Sequence, residues 1–439
     1  MKSLKVAAQI IDPGVQPISM LNLGQKLNLS CPISLKEICN GYDIDLTLVW
    51  IGDVHFENYL DANGVGTPTA WNPQIQWIVD NIMTYNIKAV LCAGDIESFK
   101  PFNLTFAQTL EQLSQQLALA WSNNDGRNGL VTIDNLVAID NFGLPYLVTI
   151  GNHDYPNIND PTETPSPRDT SDFDSQLGYG RINSRKWYVD YWPDPSSNTK
   201  ATQAIQFTVG NRNFLVISLE LWPRNPALKW VEGKIEQYSD HEVIIITHAF
   251  MKPDGSFEES VALEGTLTPC QDDTDDKCGK YGNLLWTWAK QFTNVRAIMC
   301  GHECDPLAAP GKSNSHASGP NEAFTTLTAT DGHTVLGIYS NHQSDYSPNS
   351  PGDPSYSPSY SQVVLLLHLL SDKSHVVIRS FNTTTGKEII NSYYYPSGLP
   401  NDSTTFPKGA SPSNVFPVVL PWYSPKLVNG AAAFSKRDT

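Results

Sequence analysis

The chain is short of charge, and above all of positive charge. Charged residues fill 17% of its 439 positions, against about a quarter in an ordinary soluble domain. Acids outnumber bases 45 to 29, which leaves a net charge of −16 and a pI near 5.0. Such a surface repels phosphate backbones and excludes a broad nucleic-acid-binding face. A small anionic substrate stays open where metal cations supply the attraction locally. Long apolar runs are also missing. The cleanest stretch, about Val363 to Leu370, contains His368 and falls far short of the roughly 18 apolar residues of a membrane span, so a soluble chain with no membrane partner is expected. No signal-peptide core follows Lys2 and Lys5, because Val6 to Ile11 is too short and too polar. No internal repeat is seen. What the chain does have is material for a core: 40% hydrophobic and 10% aromatic residues exclude wholesale disorder. Its length allows one large domain or two to three ordinary ones.

Seven cysteines are present, at 31, 39, 92, 270, 278, 300 and 304. Cys31 with Cys39, and Cys270 with Cys278, are close neighbours in polar surroundings, and the second pair brackets a segment too charged to be buried. Read as loop staples, they imply an oxidising compartment. The alternative is chance neighbours in an intracellular protein. Sequons at Asn28, Asn103, Asn382 and Asn401 agree with a secreted glycoprotein but are expected by chance in a chain this rich in Asn, Ser and Thr. Secretion is the expected localisation.

Residues 1–42 show no clean period and read as an extension pinned by the first cysteine pair. From Leu46 the pattern changes to short strand-like runs separated by helical ones. Strands are expected at Leu46–Ile51, Ala89–Cys92, Tyr146–Ile150, Phe214–Leu219, Val243–Thr247 and Val295–Cys300. Helices are expected at Asn72–Tyr85, where Ile75, Ile78, Val79 and Ile82 share a face, and at Phe106–Trp121, Leu130–Asp140, Leu228–Tyr238 and Leu284–Phe292. Alternation of this kind means an α/β architecture. Four strand-like runs follow between Ala323 and Ser380, interrupted by a Ser/Pro/Tyr-rich loop at 344–361. The catalytic domain is thus expected at 43–398, with 399–439 a wrapping or frayed tail.

Five polar motifs stand at the C-terminal ends of five expected strands: Asp53-Val-His55, Gly94-Asp95, Gly151-Asn-His-Asp154, Thr247-His248 and Gly301-His-Glu-Cys304. That edge of an open α/β sheet is where ligands bind. Singly, a Gly-Asp after a strand is a turn and a lone His a satisfied side chain; five in one topological location point to a site. Carboxylates mixed with imidazoles suit Mn, Fe, Zn or Mg. Asp53 and His55, two apart, point to the same side of an extended chain and can share one ion. A carboxylate such as Asp95 can bridge two, and Asn152 adds a neutral oxygen.

In these motifs the chain resembles the calcineurin-like metallophosphoesterases, whose pattern runs DxH, GD, GNH(D/E), H and GHxH. All but the last letter match, over about Asp45 to Cys304. The purple acid phosphatases, a sister group, are disfavoured, since His55 and Ser98 stand where that branch has Gly and Tyr. The resemblance implies a central β-sandwich of two mixed sheets flanked by helices, with the metal site at the C-terminal ends of the strands. It implies two divalent or trivalent ions (Zn, Fe, Mn or Mg) and a metal-bound hydroxide that attacks a small phosphoester. One ion would be held by Asp53, His55 and Asp95, the other by Asp95, Asn152, His248 and His302. His153 matches the general acid, with Asp154 orienting it.

The departure is Cys304, where the family has its last His. Either its thiolate ligates the first ion, from the same side of an extended segment as His302, or it pairs with Cys300 or Cys92. His316, His333 and His342 are further imidazoles that a loop can bring to the gap. The loops 155–180, 306–321 and 344–361, the last with Tyr346, Tyr356 and Tyr360, are expected to line the substrate pocket. A phosphodiesterase is expected first; the alternatives are a phosphomonoesterase and a degenerate binding protein with its first metal site impaired at Cys304.

Overall fold

Short apolar runs, buried on both faces, build the two central sheets. The computed structural model describes residues 43–53, 71–96, 144–152, 154–155, 168, 170–195, 199–252, 255–258, 282–302, 322–342, 363–383, 386–389, 418–422, 427–428 and 431–432. In the first sheet, β1 (Ile44–Ile51) lies between the parallel β2 (Ile87–Cys92) and the antiparallel β11 (Val363–Leu370). β3 (Tyr146–Val148) continues the parallel side. β12 (His375–Asn382), β13 (Lys387–Ile389) and β14 (Val418–Pro421) complete the antiparallel side. The second sheet runs β4 (Tyr188–Tyr191), β5 (Gln203–Val209), β6 (Arg212–Ser218), β7 (Glu242–Ile246), β8 (Val295–Cys300), β10 (Thr334–Ser340), β9 (Glu322–Thr328). Within it β6, β7, β8 and β10 are parallel. A two-stranded ribbon pairs β15 (Leu427–Val428) with β16 (Ala431–Ala432). These are the two mixed sheets the motif resemblance implied.

Period-two burial explains the layers. On β6 and β7, Phe214, Val216, Ile244 and Ile246 face the core shared with Trp50 and Leu365 of the first sheet. Leu215, Ile217, Val243 and Ile245 face outward onto helices α4 (Asn225–Gln237) and α5 (Gly282–Ala289) through Leu228, Val231, Ile235 and Leu285. Helix α1 (Trp71–Asn81) covers the first sheet with Ile75 and Ile78, and Gln74 Nε2 donates to Val363 O at 3.2 Å. The 3.6-residue spacing predicted that face.

The far edge of the sandwich is tied by charge. Arg212 grips Glu242 with two bonds of 2.7 Å, its Nη1 lies 3.6 Å from Asp45 on β1, and Trp422 Nε1, just past β14, donates to Glu242 at 2.6 Å.

Several expectations change. The stretch 155–180 is not simply a loop: α2 (Ser171–Gln176) and the start of α3 (Tyr179–Ile182) occupy it, because Phe173 and Leu177, one turn apart, bury together with Ile182. Strands β4 and β5 were not anticipated. Cys92 and Cys300 are both buried free thiols, so neither takes Cys304 in a disulfide. Asn382 is only 8% exposed at the end of β12, which leaves a glycan no room. The expected helices at 106–121 and 130–140, the cysteine pairs 31/39 and 270/278, the extension 1–42, and the loops 306–321 and 344–361 lie outside the described residues. Among the described residues, no helix is long and apolar enough to cross a membrane.

Candidate metal centre

Five strands deliver the site from one edge of the sandwich: Asp53 lies just past the end of β1, Asp95 past β2, Asn152 past β3, His248 past β7 and His302 past β8. The two sheets are stitched together there. Thr149 Oγ1 donates to Leu219 O at 2.8 Å, His302 N to Asp53 Oδ2 at 2.9 Å, and His248 Nδ1 contacts Ala93 O at 2.8 Å. Since a carbonyl only accepts, His248 carries its proton on Nδ1 and turns Nε2 inward. That nitrogen faces Asn152 Oδ1 at 2.9 Å and Asp95 Oδ2 at 3.1 Å, while His302 Nδ1 faces the same Asn152 oxygen at 3.0 Å. Ligand atoms of Asp95, His248 and His302 all fall within 4.8 Å of one another. Donor atoms about 2.1 Å from one ion and at right angles to each other are about 3.0 Å apart, so the spacing fits a shared cation.

The electrostatics ask for one. Asp53, Asp95, Asn152, Asp154 and His248 are all buried. Burial opposes charge on His248, yet Asp95 and Asp53 outweigh it and lift the imidazolium to about 10. Burial pushes the Asp53 carboxyl well above the usual carboxylate range; His248 pulls it back, and Asp95 and Asp154 push with the burial. Acids this crowded and desolvated need positive charge among them. A carboxylate oxygen, two imidazole nitrogens and an amide oxygen form a donor set for a borderline or hard divalent ion, so the residues fit the expected second ion.

Backbone strain and close approach hold the carboxylates. Asp95 has φ 48° and His302 φ 74°, left-handed values that are uncommon outside glycine. A methyl at Gly151 would stand 2.0 Å from Asp95 Oδ1, and one at Gly301 2.1 Å from Asp53 Oδ1. Asp154 takes Ile96 N on one oxygen at 2.7 Å and Gly151 N on the other at 2.9 Å, pinning the turns that carry Asp95 and Asn152.

The sequence-predicted set Asp53, Asp95, Asn152, Asp154, His248 and His302 therefore meets in one place. His55, His153 and Cys304 lie outside the described residues. The left-handed His302 corrects one expectation: the chain is not extended there, so two-residue spacing does not by itself put Cys304 on the same side. His333 does not serve the first site, since its ring nitrogens meet Asp331 Oδ1 at 2.5 Å and Val295 O at 2.8 Å. His342 Nε2 meets Glu322 Oε1 at 2.9 Å. Sequence reasoning missed Asn341, whose Nδ2 donates to Asp53 Oδ2 at 2.8 Å and His302 O at 3.1 Å. Its signal was available, because it directly follows β10, a strand parallel to β8.

Residues 46–306 match the family model described as calcineurin-like phosphoesterase. No curated protein matches the chain. Among solved structures it is similar to a dimetal phosphatase from Danio rerio at 14% identity and TM-score 0.40, covering 78% of this chain and 97% of that one. It is also similar to GAP50, the anchor in the inner membrane complex of Plasmodium, at 11% and 0.35, covering 78% and 86%. A third is the NAD nucleotidase of Haemophilus influenzae, at 15% and 0.36, covering 77% of this chain and 47% of that one.

Proposed function

The chain belongs to the calcineurin-like phosphoesterase family, and from that premise we propose that it is a two-metal hydrolase of small phosphodiesters. The observation that carries this reading is the convergence of Asp95 Oδ2, Asn152 Oδ1, His248 Nε2 and His302 Nδ1. These four would hold one ion. Asp53, His55 and Asp95 would hold the other, with Asp95 shared and Cys304 at the family's fourth position. Bound there, two ions supply Lewis acidity at the phosphoryl oxygens and lower the pKa of water. The chain's own part is orientation and proton transfer. Ala93 O fixes the tautomer of His248, Asn341 and the His302 amide hold Asp53, and His153 delivers a proton to the leaving oxygen, as its place in the motif implies.

A diester is preferred because it carries one negative charge fewer than a monoester dianion. The guanidiniums described behind the site are committed elsewhere: Arg224 to Glu220 and Asp194 at 2.8 and 2.7 Å, and Arg168 to Glu220 at 3.2 Å. The test pairs metal analysis of the purified protein with turnover of nitrophenyl phosphodiester and monoester. Two ions per chain and faster diester turnover are expected, and Asp95→Asn should lose metal and hydrolysis while the far-ultraviolet spectrum stays unchanged. One ion and no turnover of either ester would instead favour a degenerate binding protein, and full metal and activity in Asp95→Asn would overturn the assignment.

A further inference from the structure

Behind His302 stands a wall that neither the motifs nor the ligand set uses. It begins just past the end of β6, at Glu220, Leu221 and Trp222. Trp222 is 1% exposed and has φ 44°, a left-handed backbone that a bulky side chain keeps only where its surroundings over-determine it. Here they do. Arg168 donates Nη1 to Leu221 O at 3.0 Å and Nη2 to Trp222 O at 3.4 Å. Its partner Glu220 is in turn gripped by Arg224 through the backbone N at 3.0 Å, Nε at 2.9 Å and Nη2 at 2.8 Å. The result of this buried frame is local: the indole stands edge-on to the His302 ring, perpendicular to it with centroids 6.1 Å apart.

The indole also meets a carboxylate. Trp222 Nε1 donates to Glu258 Oε1 at 3.4 Å, and the same oxygen lies 3.9 Å from His302 Nε2. That second distance is a charge contact rather than a hydrogen bond. Glu258 is fully buried and its backbone is fixed on both sides, donating to Phe250 O at 3.0 Å and accepting from Gly282 N at 3.1 Å. Gly282 cannot become alanine without a methyl 2.0 Å from Phe250 O. A buried carboxylate has thus been set against the one nitrogen of His302 that does not face Asn152.

We infer that Glu258 and Trp222 are positioning residues for His302, holding its ring with Nδ1 toward Asn152 and the second ion and Nε2 toward the Glu258 carboxylate. The inference rests on the two-metal reading above. A ligating histidine has its orientation set by the group at its remote nitrogen, and loss of a hydrogen-bonded carboxylate there costs about 10–100-fold in metal affinity; at 3.9 Å Glu258 acts through its charge, so the lower end applies. The indole, perpendicular to the ring, donates to Glu258 Oε1 and keeps that oxygen directed toward Nε2.

The experiment compares wild type, Glu258→Gln and Trp222→Phe, each checked by thermal melting and titrated with Zn(II) and Co(II) against a competing chelator. Glu258→Gln keeps the side chain's shape and removes its charge. It should weaken one of the two ions by about 10-fold, the lower end for an outer partner, leave the other unchanged, and shift the visible bands of Co(II) at the weakened site. Trp222→Phe should move affinity in the same direction by a smaller factor. A folded Glu258→Gln that binds both ions like the wild type, with an unaltered cobalt spectrum, would overturn the positioning role while leaving the two-metal reading intact. A wild type that binds no ion would overturn both.

Discussion

Gly151 and Gly301 each face a carboxylate so closely that any Cβ would fall about 2 Å from an oxygen of Asp95 or Asp53. Gly151→Ala must therefore displace Asp95. A displacement of about 1 Å at a catalytic group costs about 10²-fold, so kcat/KM should fall by that order and bound metal should drop with it, and because the methyl also meets the Asp95 backbone N at 2.5 Å the melting temperature should fall as well. Unchanged metal content would contradict the geometry. At this scale the sequence was legible wherever a ligand lies within a few residues after a strand, which is how Asp53, Asp95, Asn152, His248 and His302 were found. Asn341 follows a strand in the same way and was passed over because a lone Asn after Ser340 carries no ligand-type signal of its own. Glu258 and Trp222 were illegible for another reason: their meaning depends on His302, 44 and 80 positions away, and no local pattern encodes that approach.

Among the elements, the long apolar strands announced themselves and the short or polar ones did not. β5 was missed although Ile205, Phe207 and Val209 alternate with Gln206 and Thr208, a signal present but short, and α2 because six residues make fewer than two helical turns. β14 lay in a proline-rich stretch without periodicity, yet it pairs with β12 over His375–Ile378 and brings Trp422 onto Glu242. Trp422→Phe removes the donor and leaves part of the buried indole's volume empty. The loss should therefore exceed the roughly 1.5 kcal/mol of a hydrogen bond to a charged group, reaching about 2–4 kcal/mol with the cavity. Urea denaturation reads it as a lower midpoint at constant slope; an unchanged midpoint would mean this bond contributes nothing to anchoring the strand.

Across the whole molecule, stability should depend on pH through His368, the polar break in the most apolar strand. Thr47 gives its hydroxyl proton to Tyr85 O, so His368 Nδ1 must donate to Thr47 Oγ1 at 2.8 Å and Nε2 is left bare in the core. Burial, with the charge of Arg379 behind it, lowers this group from 6.5 to about 3. Between those values the unfolded chain binds a proton that the folded one refuses, so stability falls as pH drops, by about 1.4 kcal/mol per unit. His368→Gln should flatten the pH dependence of the denaturation midpoint between about pH 6.5 and 4.5, removing about 2–3 kcal/mol of acid loss; parallel curves would refute this. The α/β alternation was legible in the sequence, but the placing of β11 beside β1 was not, since nothing local in either strand names its partner. That pairing joins Ile44–Ile51 to Val364–Leu370, and it sets a timetable for biosynthesis. β1 carries Asp53, yet one of its two edges has no partner until residues more than 300 positions later have left the ribosome. Long-range pairing of this kind forms late. The chain through Leu370 must therefore have left the ribosome before β1 has both of its partners, and loading of the proposed metal site follows that point.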